Sequence, residues 1–314
     1  MSLEAQIDNI RNIKPKSLKA YMISLKKIYE AIDDKGLDFD DMKWLKGKYY
    51  DNVIEFLETM KLPTRKNYIS AIIVALSVHP VENKTILIKY RNHLDGIATE
   101  YNKTIQSQEK SEKLSKNWTT MEELKKVVSK LKRDIRERKI EKKETWNNKE
   151  MELYQKYLVG SLYTDMPPVR NDYASMDVIK FKDYDKLKNK NKNYLVLVGS
   201  KKRFVSLGAY KTSDVYGVKT IQINPIINKI ITKWLQHNKT GYFLINKQKK
   251  ALSENSLTKL LNKTFESTGK SISSTLIRHV YLTERYSKVN KEQENDADAM
   301  MHSVSTARNV YIKK

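Results

Sequence analysis

"NYLVLVGSKKRFVSLGAYKTSDVYGVKTIQI" (Asn193–Ile223) is where the chain changes its period. Three runs rich in β-branched and aromatic residues, "NYLVLVG", "RFVSLGAY" and "KTIQI", are separated by charged or glycine-bearing turns. A fourth, "MDVIKF" (Met176–Phe181), lies just upstream. Runs of this length and composition between turn residues read as strands, and a small antiparallel sheet is expected.

On both sides of this stretch the pattern is helical. Upstream, Met151–Leu162 reads as a helix ending near "DMPPVR", and Thr119 with Glu122 forms a capping-box signature ahead of "LKKVVSKLKRDIRERK". Downstream, Pro225 opens a helix carrying Ile227, Ile230, Ile231, Trp234 and Leu235, and after "GYFLIN" helices resume to the end. Residues 105–118, "IQSQEKSEKLSKNW", are polar and charged with no apolar period, so they read as a linker. Before them the first hundred residues carry helical stripes. One is Leu18, Tyr21, Met22, Leu25, Ile28 and Ile32. A second, opened by Pro63 and Thr64, is Tyr68, Ile69, Ile72, Ile73 and Leu76. A third is Leu87, Tyr90, Leu94, Ile97 and Tyr101. The expected organisation is a helical domain over 1–104, a linker over 105–118 and a mainly α domain with an inserted sheet over 119–314.

Composition narrows the function classes. The 314-residue chain has a formal charge of +23, which points to a polyanion and to nucleic acid first, because each neutralised phosphate releases counterions. Apolar runs such as "AIIVAL" (Ala71–Leu76) fall far short of the roughly 20 residues a bilayer needs, and no signal-peptide pattern opens the chain. Cysteine is absent, which excludes disulfides and thiol chemistry and suits a reducing, intracellular compartment. The five histidines show no metal spacing, and no Gly-rich phosphate loop, GxSxG elbow or HExxH pair appears. The carboxylate pairs in "FDDMKW" and "ENDADAM" read as caps or solvated charges rather than as a two-metal site. No metal or cofactor is expected.

Phosphodiester chemistry without a metal needs a nucleophile, cations on the phosphate oxygens and an acid for the leaving oxygen. A tyrosine hydroxyl, with a pKa near 10, is a weak nucleophile until its neighbours favour deprotonation. Arginine supplies a donor fork matched to phosphate and keeps its charge. "TLIRHVYLT" (Thr275–Thr283) puts Arg278 and His279 near the start of a helix that follows "SISS", where the amides and the helix dipole also favour an anion.

That stretch resembles the HxLRHxxxT box of the tyrosine recombinases, the phage-type integrase family. "HSVSTARNVY" (His302–Tyr311) resembles the family's GHSxxxTxxxY box, with the inner threonine one place early. "PPVRNDY" resembles the segment bearing the family's first arginine, and "YKTSDVYGVKTIQI" the sheet segment bearing its lysine. The likeness covers most of 117–314 by order and spacing. It implies a helical core-binding, DNA-clamping domain followed by an α+β catalytic domain with the DNA breaking-rejoining fold.

The same resemblance implies the roles. Tyr311 would be the nucleophile, forming a 3′-phosphotyrosyl link. Arg170 and Arg278 would clamp the non-bridging oxygens, Lys211 would protonate the departing 5′-oxygen, and His302 would bind the phosphate or assist the tyrosine's proton. Lys201, Lys202 and Lys219 also lie around the sheet and compete for the lysine's role. Two positions depart from the pattern. Thr275 stands where the family has histidine or lysine, and can offer a hydrogen bond but no proton shuttle at neutral pH. Tyr173 stands three residues after Arg170, where a carboxylate is common, while Asp172 lies one place earlier.

The implied activity is site-specific recombination or integration of viral or mobile-element DNA, independent of metal and ATP. The implied partners are double-stranded DNA and three further copies in a homotetramer on paired sites, with no membrane. A type IB-like topoisomerase uses a similar constellation, and a catalytically silent basic DNA-binding protein would keep the charge alone. Relatives often continue past the tyrosine into a segment that packs on a neighbouring subunit. With only three residues left here, either another surface serves assembly or the chain is shortened.

Overall fold

The computed structural model describes residues 1–10, 13–32, 36–199 and 202–312, and these divide into two compact units, Met1–Glu109 and Lys110–Lys314. Lys201, one of the competing lysines, lies outside the described residues.

The first unit is helical: α1 (Leu3–Ile10), α2 (Pro15–Ile32), α3 (Tyr49–Glu58), α4 (Leu62–Leu76) and α5 (Lys84–Gln106). The stripe on α2 buries Leu18, Met22, Leu25 and Ile28, while Tyr21 and Ile32 flank the core half-buried. α4 is buried on more than one face, through Ile69, Ala71, Ile72, Val74, Ala75 and Leu76, as befits a helix in the middle of a bundle. A single 3₁₀ turn at Lys43–Leu45 buries Trp44, whose indole N–H donates to the Phe39 carbonyl at 3.0 Å. The Tyr90 hydroxyl of α5 donates to the Leu45 carbonyl at 3.0 Å and fixes that turn against the bundle.

The second unit begins inside the stretch expected to be linker. α6 (Glu112–Asn117) is capped by the Ser111 hydroxyl, and Leu114 and Trp118 pack on the second unit's core. Two apolar anchors suffice to dock a segment that shows no period. α7 (Met121–Glu137) follows, capped by Thr120 rather than Thr119. The Thr120 hydroxyl accepts from the Glu123 amide, and Thr119 instead donates to the Glu123 carboxylate at 2.6 Å. α8 (Asn148–Thr164) starts earlier than its stripe, because Asn147 and Glu150 form a reciprocal capping box.

Then come β1 (Asp177–Lys180), α9 (Phe181–Asp185), β2 (Asn193–Val198), β3 (Lys202–Leu207), α10 (Ser213–Tyr216) and β4 (Lys219–Gln222). The four strands form one sheet in the order β1-β2-β3-β4. The expectation of an antiparallel sheet needs correction, because β1 pairs with β2 in parallel and only the β2–β3 and β3–β4 pairs are antiparallel. A parallel pair needs a crossover of about a dozen residues, and residues 181–192, with α9 among them, provide it. One sheet face carries Leu195, Val205 and Leu207 into the main core. The other carries Tyr194, Val196 and Phe204 against Tyr184 of α9.

α11 (Pro225–His237), α12 (Glu254–Thr264), α13 (Ser274–Ala299) and the single turn α14 (Val304–Thr306) complete the unit, with a π-helical turn over Ala307–Tyr311. The fold is therefore mainly α with a small mixed sheet. Among the described residues no helix is long and apolar enough to cross a membrane.

Candidate active site

Arg170 follows the end of α8, where "MPP" prevents the helix from continuing. It is exposed, and its carbonyl accepts from the Tyr163 hydroxyl of α8 at 2.6 Å. Its neighbour Asn171 is a junction. The Asn171 amide donates to the Glu254 carbonyl and the Thr258 hydroxyl of α12, at 3.2 and 2.9 Å. Its side-chain oxygen accepts from the buried Ser274 hydroxyl at the first residue of α13, at 2.8 Å. The Arg170 loop and the start of α13 are thus tied by one asparagine.

α13 is capped by Ser273, whose side chain accepts from the Leu276 amide. Leu276, Ile277 and Val280 anchor the first turns in the core, which leaves Arg278 half-buried and Thr275 and His279 exposed. Asp172 lies two residues after Arg170 and is half-buried. Burial pushes the Asp172 carboxyl up, the Arg170 charge and backbone amide draw it down, Glu254 raises it and Arg278 lowers it. Arg278 is felt at Tyr163 too, whose hydroxyl burial raises well above its ordinary value. The geometric tie between the two arginines' elements is the Asn171–Ser274 bond. Asp172 was legible only as a displaced acid, and Tyr173, at the family's usual position, is fully buried with its hydroxyl unpartnered.

Lys211 is exposed in the turn after β3. The root of that turn is pinned to the arginine loop by Asn193. Its amide donates to the Asp172 and Ala209 carbonyls, both at 3.1 Å, and its oxygen accepts from the Gly208 and Ala209 amides at 3.1 and 2.8 Å. Gly208 is required there, since a Cβ would lie 1.7 Å from the Lys190 carbonyl oxygen. Of the competing lysines, Lys219 shares this end of the hairpin, opposite Leu207. Lys202 pairs with Val198 at the other end. Nothing in the sequence marked Asn193, which merely precedes an apolar run.

His302 and Tyr311 form a second group. Their rings stack with centroids 5.0 Å apart and planes 26° apart. The His302 amide donates to the Ala297 carbonyl at 3.0 Å, so the pair sits at the far end of α13. Arg308 bonds to the Gln293 side chain at 2.6 and 3.2 Å, folding the last turn back onto that helix. A cavity of about 180 Å³ between them is lined by Asp296, Met300, His302, Val304, Tyr311 and others. His302 Nε2 is buried without a partner, and Tyr311 is 59 % exposed.

The five residues are not gathered in one place. From Arg278 to Ala297 the continuous helix rises about 28 Å, at 1.5 Å per residue. The structure brings Arg170, Arg278 and the root of the Lys211 turn together, and pairs His302 with Tyr311, but the two groups occupy opposite ends of α13. Among the described residues no cluster of three or more His, Asp or Glu side chains forms a metal-binding group. Compared with family models, curated proteins and solved structures, the chain matches none.

Proposed function

We propose that the protein is a DNA breaking-and-joining enzyme of the tyrosine recombinase kind, acting in integration of viral or mobile-element DNA. The observation that carries the reading is the Asn171–Ser274 bond, which ties the Arg170 loop to the start of the helix bearing Arg278, beside the pinned root of the Lys211 turn. Two guanidinium groups there would hold the non-bridging oxygens of a phosphodiester and stabilise charge as it builds on them. The Tyr311 oxygen attacks phosphorus, forming the phosphotyrosyl bond while the bond to the 5′-oxygen breaks. Lys211 supplies the proton to that oxygen, and His302 assists at the tyrosine. A new 5′-hydroxyl reverses the step, so neither metal nor ATP enters the balance.

This chemistry requires the tail to leave its place at the end of α13. Three features favour such a movement. The Arg308–Gln293 contact is exposed, the tail cavity is small, and residues 285–292 of α13 are exposed at every position. Assembly as a homotetramer on two DNA sites belongs to the same proposal.

A second reading, a catalytically silent basic DNA-binding protein, is favoured by the 28 Å gap and by the charge of +23. Denaturing electrophoresis across a panel of nicked suicide duplexes separates the two. A covalent protein–DNA band that Tyr311→Phe abolishes is expected. Duplex binding with no covalent band would leave the silent binder, and a band that survives Tyr311→Phe would remove Tyr311 as nucleophile.

A further inference from the structure

The β3–β4 connection carries apolar side chains that the proposed chemistry does not use. Val215 is 75 % exposed, Tyr216 62 % and Val218 44 %. They are held in an ordered turn. Ser213 N–H donates to the Tyr210 carbonyl, Val215 and Tyr216 N–H both donate to the Thr212 carbonyl, and Gly217 N–H donates to the Ser213 carbonyl. The Tyr210 hydroxyl closes the loop onto the Gly217 carbonyl at 2.8 Å, and Gly217 turns the chain at φ +64°, a conformation glycine adopts without strain. The backbone thus keeps three neighbouring apolar side chains in water, a cluster that burial against a partner would stabilise.

Charge indicates the partner. Exposed Lys211 and Lys219 flank the tip, and Lys219 Nζ lies 5.9 Å from the centre of the Tyr216 ring. Cations beside a projecting aromatic and a valine complement a duplex, whose phosphates line each groove and whose base faces stack on apolar surface. Location agrees. From Ala209, tied through Asn193 to the Arg170 loop, seven residues to Tyr216 reach at most about 24 Å, less than one duplex turn of about 34 Å.

We propose that Val215 and Tyr216 form an apolar wedge that enters the minor groove and opens one base step within a helical turn of the phosphate held by Arg170 and Arg278. The proposal rests on the DNA-joining reading above. It assigns this tip to DNA geometry rather than to the reaction itself.

The test uses the full chain, its Val215→Ser/Tyr216→Ser double variant, and two fluorescent duplexes identical except for one mismatched step. A mismatch lowers the cost of unstacking, so the wild type should bind the mismatched duplex about tenfold more tightly than the paired one. The double variant should lose that preference while keeping its salt slope, because neither side chain carries a charge. Equal wild-type affinity for the two duplexes, or a preference retained by the variant, overturns the wedge and leaves the DNA reading standing. No binding to either duplex overturns the DNA reading, and the wedge with it. Sedimentation showing that the variant dissociates a wild-type oligomer in the absence of DNA would make the tip a contact between copies, and would also overturn the wedge.

Discussion

Arg278 and His302 are joined by a single helix, yet their surroundings have little in common. Around Arg278, α13 buries Leu276, Ile277 and Val280, bonds through Ser274 to Asn171, and offers Glu284 to the Met121 amide at the start of α7. From residue 285 to 292 every position is exposed, with Tyr286 and Val289 at 44 % and 45 %. At the far end Ala297 is buried again, and the tail folds back there through Gln293–Arg308 and the stacked pair His302–Tyr311. One half of the candidate site is thus part of the core, and the other half is locally folded on a lever. In the proposed reaction, that division would keep the nucleophile away from phosphate until DNA is in place.

Substitutions along α13 give the sharpest contrast. Ile277→Ala should cost about 2–5 kcal/mol, as loss of a fully buried branched side chain does, whereas Val289→Ala should stay within about 0.5 kcal/mol. Urea denaturation of the pair checks this, and equal losses would mean that the exposed span is covered in solution. Gly208→Ala probes the frame beside the arginines. Its new Cβ would run into the Lys190 carbonyl, so a loss of about 1–3 kcal/mol or more in thermal unfolding is expected.

Caps at the two ends provide a smaller version of the same comparison. The Ser273 hydroxyl accepts from Leu276 N–H, and the Ser303 hydroxyl from Thr306 N–H. Ser273→Ala should cost about 1 kcal/mol in global stability. Ser303→Ala should leave the melting temperature unchanged and speed amide exchange only in the tail.

Asp172 adds a dependence on pH. Its carboxyl is raised on folding, chiefly by burial, so the folded state holds the proton more tightly than the unfolded one. The stability this group contributes is full below the ordinary aspartate value of about 3.9 and is lost as pH rises through the folded value. Asp172→Asn should flatten that fall in a series of melts, with little difference at the acid end. The smallest effect concerns the lever. Ser287→Ala/Asn290→Ala raises helix propensity by roughly 0.5 kcal/mol per position. If the exposed span must yield, covalent-adduct formation should slow a few-fold without a change in duplex affinity.

Much of this was legible in the sequence, though unevenly. All four strands and the helical stripes on α2, α4, α5 and α11 follow from period and turn residues. The direction of β1 did not, because pairing depends on how residues 181–192 cross over rather than on β1's own composition. The linker reading missed α6, whose docking rests on Leu114 and Trp118 alone. At the site, the stretches around Arg170, Arg278 and His302–Tyr311 stand out through their resemblance to the family's boxes, which is local information. The brackets Asn171 and Asn193 are tertiary features, visible only when loops meet. The distance between the two halves was equally hidden. It depends on α13 continuing unbroken through "ERYSKVNKEQ", which carries neither proline nor glycine to stop it.

The most direct test of the two-part site is a distance measurement across α13. The chain has no cysteine, so His279→Cys/Asn309→Cys accepts two spin labels at defined positions. Double electron–electron resonance on the free protein should give a long separation, on the order of 20–30 Å, because α13 rises about 21 Å from His279 to Gln293, which Arg308 beside Asn309 contacts. On a nicked duplex the distribution should shift to a much shorter distance as the tail reaches the arginines. A short distance in the free protein would contradict the separated site. A long distance that persists on DNA, in a sample that has formed the covalent band, would contradict delivery of Tyr311 to the arginines of its own chain.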